Sequence, residues 1–298
     1  MRPLTVSAIL ATALLGSSAH ADGDGLTDIL GPREIAVGEG LRGGATGESA
    51  VGLNPSGLPL THELVFEGGY GYRGSDAASL VGVSACDSTN ALPGCFFYNY
   101  ASTNPDSDGM SLHSTAQVGG IAVAYPITPR VFFGTTAKYF HYSTDLMGQS
   151  NSSGFTNDAG LTVRMTDIIS LGAAGYNILG ATSDDFPRAF GTGVVIKPLP
   201  VLRLGFDSRW KFDGSGGTRY GGGAEFILAS GQMAFPIRAG ALRDTALQDT
   251  YLSGGLGVAT VSFSVDVAAR FAVSGPKDTE IIASLRFFGP RMPAPGVN

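Results

Sequence analysis

The stretch Val261-Ser262-Phe263-Ser264-Val265-Asp266-Val267-Ala268-Ala269-Arg270-Phe271 alternates in polarity with a period of two. Successive side chains of a β-strand point to opposite faces, so one face of this strand is apolar and the other carries Asp266 and Arg270. Several other stretches in the second half of the chain repeat this pattern over about ten residues, the length of a strand that crosses a bilayer. The pattern predicts an all-β fold, a transmembrane antiparallel β-barrel.

The N-terminus has the features of a secretory signal peptide at residues 1–21. Arg2 provides the positive charge, residues 4–15 are apolar, and Ala19-His20-Ala21 is a small-x-small cleavage site. The apolar run is too short to cross a bilayer as a helix. We therefore expect an exported chain that begins at Asp22 and lies in the outer membrane of a Gram-negative bacterium, surrounded by outer-membrane lipids.

Charge and cysteine content argue against several other classes of protein. The 25 acidic residues outnumber the 19 basic ones, so nucleic acid is not an expected partner. Cys86 and Cys95 are the only cysteines, and in an exported chain they predict a disulfide rather than two free thiols. No histidine lies near them, so we expect neither a metal site nor a cofactor.

Candidate strands follow a stretch without periodicity, residues 22–63, which is rich in Gly and Pro. Twelve strands can be assigned from the pattern, and together they predict a barrel over residues 64–288, followed by a periplasmic tail at 289–298. The twelve ranges are 64–73, 112–125, 131–142, 157–166, 168–178, 187–198, 201–212, 218–228, 233–243, 250–259, 261–272 and 278–288.

The connections between these strands alternate between short turns and longer, acidic loops. Bacterial barrels have short periplasmic turns and longer outer loops, so both ends of the chain are expected in the periplasm. The longest outer loop in this scheme, residues 74–111, contains both cysteines, and the predicted disulfide would close it.

The charged faces of the strands are predicted to line the interior. A charge that faces hydrocarbon at mid-bilayer costs about 2–4 kcal/mol, so several on one strand must point into the lumen. Either these charges pair across the interior and stabilise the barrel, or they select what passes through it. The principal lumen charges are Arg203, Arg209, Lys211, Arg219, Glu225, Arg238, Asp266 and Arg270.

The segment just before the first strand contains Asn54-Pro55-Ser56-Gly57-Leu58. It resembles the N-terminal signature of the FadL-type transporters of hydrophobic compounds and of their PorV/PorQ-like relatives, which has an Asn-Pro-Ala-Gly-Leu-like motif at this place. Tyr125-Pro126-Ile127-Thr128-Pro129-Arg130-Val131 is similar to the first periplasmic turn of those proteins. Phe186-Pro187-Arg188 and Lys197-Pro198-Leu199-Pro200 are similar to their mid-barrel hairpin.

This resemblance implies that residues 22–63 form a plug inside the barrel, with ligands leaving through an opening in the wall. By resemblance, Asn54, Pro55, Ser56 and Gly57 would lie at the passage. A Gly-rich segment without periodicity is tolerated at membrane depth only inside a barrel, which agrees with this placement. The family has fourteen strands where the pattern indicates twelve, so two more strands would lie within 74–111 if the barrel has the family's size.

Three functions follow as hypotheses. The leading one is passive transport of small hydrophobic molecules by a FadL-like route. The alternative is a non-transporting, PorV-like accessory barrel that binds secretion-system or surface proteins through its loops. The third is an outer-membrane phospholipase, because His141 and Ser143 share the lipid-facing side of one strand. The Ser-Asn-Gly continuation of those enzymes is absent after Ser143, so we expect no enzymatic activity.

Overall fold

The computed structural model describes residues 31–104, 106–107, 110–111, 113–145, 150–181, 186–212, 217–275 and 277–289. The predicted signal peptide and most of the predicted C-terminal tail lie outside these residues. Among them, no helix is long and apolar enough to cross a membrane.

Fourteen strands form one closed barrel in which every strand pairs antiparallel with its neighbours. The barrel closes where β1 pairs with β16, with Tyr70 opposite Ala283. A separate two-stranded hairpin, β4 and β5, lies in the connection between β3 and β6. The strands are β1 Leu64–Arg73, β2 Ala78–Asp87, β3 Gly94–Thr103, β4 Asp106–Ser107, β5 Met110–Ser111, β6 Ser114–Thr128, β7 Val131–Thr144, β8 Ser152–Arg164, β9 Ile169–Gly180, β10 Ala189–Leu199, β11 Leu202–Lys211, β12 Gly217–Ser230, β13 Met233–Asp244, β14 Asp249–Ala259, β15 Phe263–Ser274 and β16 Thr279–Phe288.

The alternation of side chains identified the two faces of the barrel correctly. On β15 the outward residues Val265, Val267 and Phe271 are 41%, 46% and 49% exposed, whereas Asp266 is 1% exposed and faces inward. A closed barrel with an apolar outer surface and a charged interior is the architecture of an outer-membrane protein. The prediction of a transmembrane antiparallel β-barrel is therefore confirmed.

The count of twelve strands was wrong, and the two missing strands lie within residues 74–111. They are β2 and β3, which pair with each other and with β1 and β6. On β3 the aromatic rings of Phe96 and Phe97 point to opposite faces, the first exposed and the second buried. The strand therefore lacks the apolar and polar alternation by which the others were recognised.

The disulfide is confirmed, but its predicted location in an outer loop is wrong. Cys86 on β2 and Cys95 on β3 are bonded, and they lie directly opposite each other in the antiparallel pair. The turn that joins these strands, residues 88–93, lies at the same end of the barrel as residue 63, where the chain enters β1. Both cysteines are buried in the interior, near the end of the barrel that was predicted to face the periplasm.

Residues 31–61, here called the luminal segment, precede β1 and contact the inward faces of the strands. The segment contains helix α1 at Pro32–Ala36, helix α2 at Glu48–Leu53 and a 3₁₀ helix at Pro55–Leu60. Its apolar side chains, among them Val37, Leu41 and Leu58, are buried in one cluster with Phe97 and Phe140 of the wall. The main core of the protein thus lies inside the barrel.

Candidate functional site

The Asn54 motif connects the luminal segment to β8. Asn54 is fully buried, and its Nδ2 donates to Leu161 O at 3.2 Å and to Thr162 Oγ1 at 3.0 Å. The same amide donates to Arg42 O at 3.0 Å, within the segment. Asn54 Oδ1 accepts from Ser56 Oγ at 2.7 Å, and Ser56 Oγ lies 2.8 Å from Thr162 Oγ1. The amide nitrogen therefore holds the segment against the wall, and the amide oxygen positions Ser56, whose hydroxyl contacts the same threonine.

Pro55 and Gly57 of the motif contact the wall and the segment through close backbone packing. A Cβ at Gly57 would collide with Ala45 O, and a Cβ at Gly134 on β7 would collide with the Pro55 backbone. Pro55 is the first residue of the 3₁₀ helix, which begins at the Asn54 N-cap. The motif thus forms a compact corner that packs against β7 and β8.

Arg42 forms a second connection between the luminal segment and the wall. Its guanidinium Nη1 and its backbone N donate to Asp207 Oδ2 on β11 at 2.9 Å and 2.8 Å. Its Nε donates to Tyr176 Oη on β9 at 2.7 Å, and the tyrosine hydroxyl in turn donates to Leu53 O. Arg42 and Asp207 are buried, so this ion pair is shielded from solvent.

Glycines on the wall allow this close approach. A Cβ at Gly205 would overlap Gly40 O, and one at Gly172 would overlap Arg42 O. Glycine at these inward positions therefore leaves the space that the segment's backbone occupies.

A third connection joins Arg33 of α1 to an ion-pair network on the inward faces of β11, β12, β13 and β15. Arg33 Nε donates to Glu225 Oε2 at 2.8 Å, and Glu225 also accepts from Arg203 at 2.9 Å and from Arg238 at 3.0 Å. Arg238 pairs in addition with Asp266. Four of the predicted lumen charges thus lie in one connected network that includes the luminal segment.

The remaining predicted lumen charges lie in three other places. Arg270 pairs with Glu280 at 2.7 Å and lies 3.5 Å from Glu39 of the luminal segment. Arg219 pairs with Asp244 at 2.7 Å, near the outer ends of β12 and β13. The guanidinium of Arg209 lies 4.6 Å from the centre of the Tyr176 ring, and Arg209 and Lys211 both line a cavity described next.

The cavity, here called the cup, lies between the luminal segment and the outer halves of the strands and has a volume of about 70 Å³. Phe97, Val118 and Phe186 supply apolar surface, and Phe186 stacks on Phe140 with ring centres 3.9 Å apart. Lys138 and Asp158 also line the cup and pair at 2.8 Å. The complete lining is Gly31, Glu34, Glu48, Ser49, Val51, Gly52, Phe97, Asn99, Val118, Lys138, Asp158, Tyr176, Asn177, Phe186, Pro187, Arg209 and Lys211.

A β-bulge in the wall adjoins the cup. Between β8 and β9, Asn157 pairs with Leu179 but Ala159 pairs with Gly175, so β9 has extra residues at this point. Asn177 lies within the bulge with a φ of 52°, and its backbone N donates to Asp158 Oδ1 at 2.9 Å. β10 pairs with β9 only as far as Tyr176, so the outer end of β9 extends beyond this pairing.

The outer face of the same region carries an apolar groove of about 450 Å³. Its lining includes Leu161 of β8, Leu171 of β9, Val194 of β10 and Phe206 of β11. In a bilayer this surface contacts acyl chains.

Neither a catalytic pair on the outer surface nor a cluster of metal ligands is present among the residues that the structure describes. His141 and Ser143 lie on the outward side of β7, and none of the hydrogen bonds among the described residues joins them. The described residues also contain no group of three or more His, Cys, Asp or Glu side chains that could hold a metal ion.

Sequence reasoning missed most of the cup. Phe97 and Asn99 were assigned to a loop because their strand does not alternate in polarity. Tyr176 lies on the inward side of β9, which otherwise carries the small residues Gly172 and Ala174, and a large residue on that side was a usable signal. Glu34 and Glu48 lie in the luminal segment, where no periodicity guides an assignment.

No protein-family model and no curated protein match this sequence. Several solved structures share its fold. The toluene transporter TodX of Pseudomonas putida has a TM-score of 0.68 and 14% identity, over 87% of this chain and 97% of that one. The toluene transporter TbuX of Ralstonia pickettii has a TM-score of 0.67 and 14% identity, over 88% and 98%.

A FadL homologue of Pseudomonas aeruginosa has a TM-score of 0.66 and 9% identity, over 87% of this chain and 97% of that one. The chain therefore has the fold of the FadL-type barrels, in agreement with the resemblance of its N-terminal motif. These three similar structures are transporters or a homologue of one, and none is described as an enzyme.

Proposed function

We propose that this protein is a passive outer-membrane channel for small hydrophobic molecules. The observation that carries the proposal is the cup, an interior cavity to which Phe97, Val118 and Phe186 contribute apolar surface beside polar and charged side chains. Two structures of the same fold are toluene transporters, which agrees with a small apolar ligand. An apolar molecule gains roughly 25 cal/mol for each Å² of apolar surface that it removes from water on binding there.

We further propose that the ligand leaves the cup sideways, through the wall at the β8–β9 bulge. Below the cup the luminal segment is held by Asn54, Arg42 and Arg33, so a straight path would require several buried polar contacts to break. The bulge borders the cup at Asp158 and Asn177, and the apolar groove lies on the outer face of β8 and β9. A sideways route needs no movement of the luminal segment, which in this proposal acts as a permanent plug.

The uptake of a labelled aromatic hydrocarbon by cells tests the function. Apolar solutes dissolve in artificial phospholipid bilayers, so uptake is measured in Gram-negative cells with an intact outer membrane, with and without the protein. Val118→Phe fills the cup and is expected to reduce uptake, whereas Val123→Phe on the lipid-facing side of the same strand is the matched control. Uptake equal to that of cells without the protein would refute the proposal, and a stably copurifying protein would then favour the accessory-barrel alternative.

The route is tested separately by fixing the plug. Ser56 Oγ and Thr162 Oγ1 are 2.8 Å apart, so the pair Ser56→Cys and Thr162→Cys places two thiols where a disulfide can form. Uptake that is unchanged by oxidation supports the sideways route. Uptake that stops on oxidation and returns on reduction shows that the luminal segment has to move.

A further inference from the structure

The cup contains hydrogen-bond acceptors that no group of the protein satisfies. Glu34 Oε1, Asn99 Oδ1 and Asn177 Oδ1 line it, and each is buried without a hydrogen-bond partner among the described residues. Glu34 is 2% exposed and Asn177 is 5% exposed. All three atoms are acceptors, and a buried acceptor without a donor is unfavourable.

The cationic side chains of Arg209 and Lys211 also line the cup. Three further donors at the cup are already used by other acceptors. Lys138 Nζ pairs with Asp158 Oδ1 at 2.8 Å, and the Tyr176 hydroxyl donates to Leu53 O. The Asn177 side chain donates its own Nδ2 to Pro187 O at 2.9 Å. Glu48 Oε1 and Asn99 Oδ1 both lie within 3.4 Å of the position that a Cβ on Gly82 would occupy, so two acceptor oxygens face the same small space.

We propose that the cup selects small aromatic molecules that carry a hydrogen-bond donor, of which phenol is the simplest. This inference rests on the proposed function and narrows its ligand class. The ring would lie against Phe97, Val118 and Phe186, and the hydroxyl would donate to Glu34 or to Asn99. With a volume of about 70 Å³ the cup is small, which favours a compact ligand over a long acyl chain.

Phenol and anisole form the deciding pair of ligands, because the methyl ether keeps the ring and the oxygen but has no donor. Binding of both is measured by equilibrium dialysis against the full-length protein in detergent, with benzene as a third ligand. A hydrogen bond to a buried charged acceptor is worth about 1.5–3 kcal/mol, so phenol is expected to bind at least tenfold more tightly than anisole. Equal affinities for phenol and anisole would overturn the inference.

Variants then locate the acceptor. Asn99→Leu and Glu34→Gln are each expected to reduce the preference for phenol over anisole by several-fold. The control is Glu280→Gln, which alters a buried carboxylate that pairs with Arg270 outside the cup. This control should leave the preference unchanged. Retention of the heat-dependent gel shift of a folded barrel shows that each variant folds. A preference that is the same in all three variants would overturn the assignment to the cup.

Uptake in cells separates this inference from the proposed function. Equal uptake of phenol and anisole, above that of cells without the protein, would refute the selectivity and leave the channel function standing. Uptake of neither compound above that background would refute both.

Discussion

The side-chain amide of Asn54 donates to the hydroxyl of Thr162 at 3.0 Å, across a separation of 108 residues in the chain. This hydrogen bond joins the luminal segment to β8 at the point where Ser56 also contacts the wall.

We expect Asn54→Ala to lower the free energy of unfolding by about 1–3 kcal/mol for each buried partner left without its hydrogen bond. The segment should loosen while the strands keep their pairing. Hydrogen exchange of residues 48–60 should accelerate, and Asn90→Ala in the exposed β2–β3 turn is the control. Unchanged exchange in Asn54→Ala would show that this corner is not what holds the segment.

Gly205→Ala should displace the luminal segment, because the added methyl group would overlap Gly40 O. Overpacking of this kind costs about 1–3 kcal/mol. Gly68→Ala is a matched control on another strand, since a Cβ there has nothing within 4 Å. Equilibrium unfolding in urea should show a lower midpoint for Gly205→Ala only. Equal midpoints for the two variants would mean that the strands shift to accommodate the added methyl group with no loss of stability.

Arg42→Met should be strongly destabilising, because it leaves the Asp207 carboxylate buried without its cation. Removing one partner of a buried ion pair costs about 3–5 kcal/mol, and adding Asp207→Leu should recover a large part of it. The unfolding free energies of the two single variants and the double variant measure the coupling. Arg130→Met, at an exposed turn, is the control for loss of an arginine. Additive effects of Arg42→Met and Asp207→Leu would contradict the coupling.

Loss of the Cys86–Cys95 disulfide should lower stability without changing the fold. The two residues are already opposite each other in the β2–β3 pair, and the bond closes a short loop with a sequence separation of 9. For a loop of this length the expected contribution is about 2–3 kcal/mol. The double variant Cys86→Ala and Cys95→Ala should unfold at lower urea and be insensitive to reductant, unlike the unmodified protein. A barrel that fails to assemble without the disulfide would refute this.

Binding of phenol should weaken as the pH falls through about 6. Burial, and next the charge of Glu67, raises the pKa of Glu34 to about 6, so its carboxylate becomes protonated below this pH and is then a weaker acceptor. Arg33 and Arg286 oppose this shift. Burial also raises the pKa of Glu48.

Affinity measured between pH 5 and pH 8 should therefore rise with pH, and Glu34→Gln should remove the part of the change that is centred near pH 6. Phenol itself does not titrate in this range, since a phenolic hydroxyl has a pKa near 10. An affinity for phenol that is constant from pH 5 to pH 8 would exclude Glu34 as the acceptor.

Much of the barrel could be predicted from the sequence. Eleven of the twelve predicted strands begin within three residues of the observed ones, and β8 begins at Ser152 rather than at 157. The inward placement of Arg203, Glu225 and Asp266 followed from the cost of charge in hydrocarbon. The corner built by Asn54 was suggested by resemblance alone, and its contacts with Thr162 came from the structure.

The strands β2 and β3 could not be predicted because apolar residues occur on both of their faces. On β3, Phe97 faces the cup and Phe96 faces lipid. Because large apolar residues point to both sides, apolar and polar residues do not alternate along the strand. For the same reason the predicted disulfide has the correct partners but lies in a hairpin of the wall rather than in an outer loop.

By itself, the sequence determined that the chain is a membrane barrel whose strands place charged side chains inward, because side-chain alternation along each strand is a local property. Only the tertiary structure decided which charges meet, how the luminal segment is fixed and where the cup lies. Arg33 and Glu225 are 192 residues apart, and contacts over such distances depend on closure of the whole barrel rather than on any local pattern.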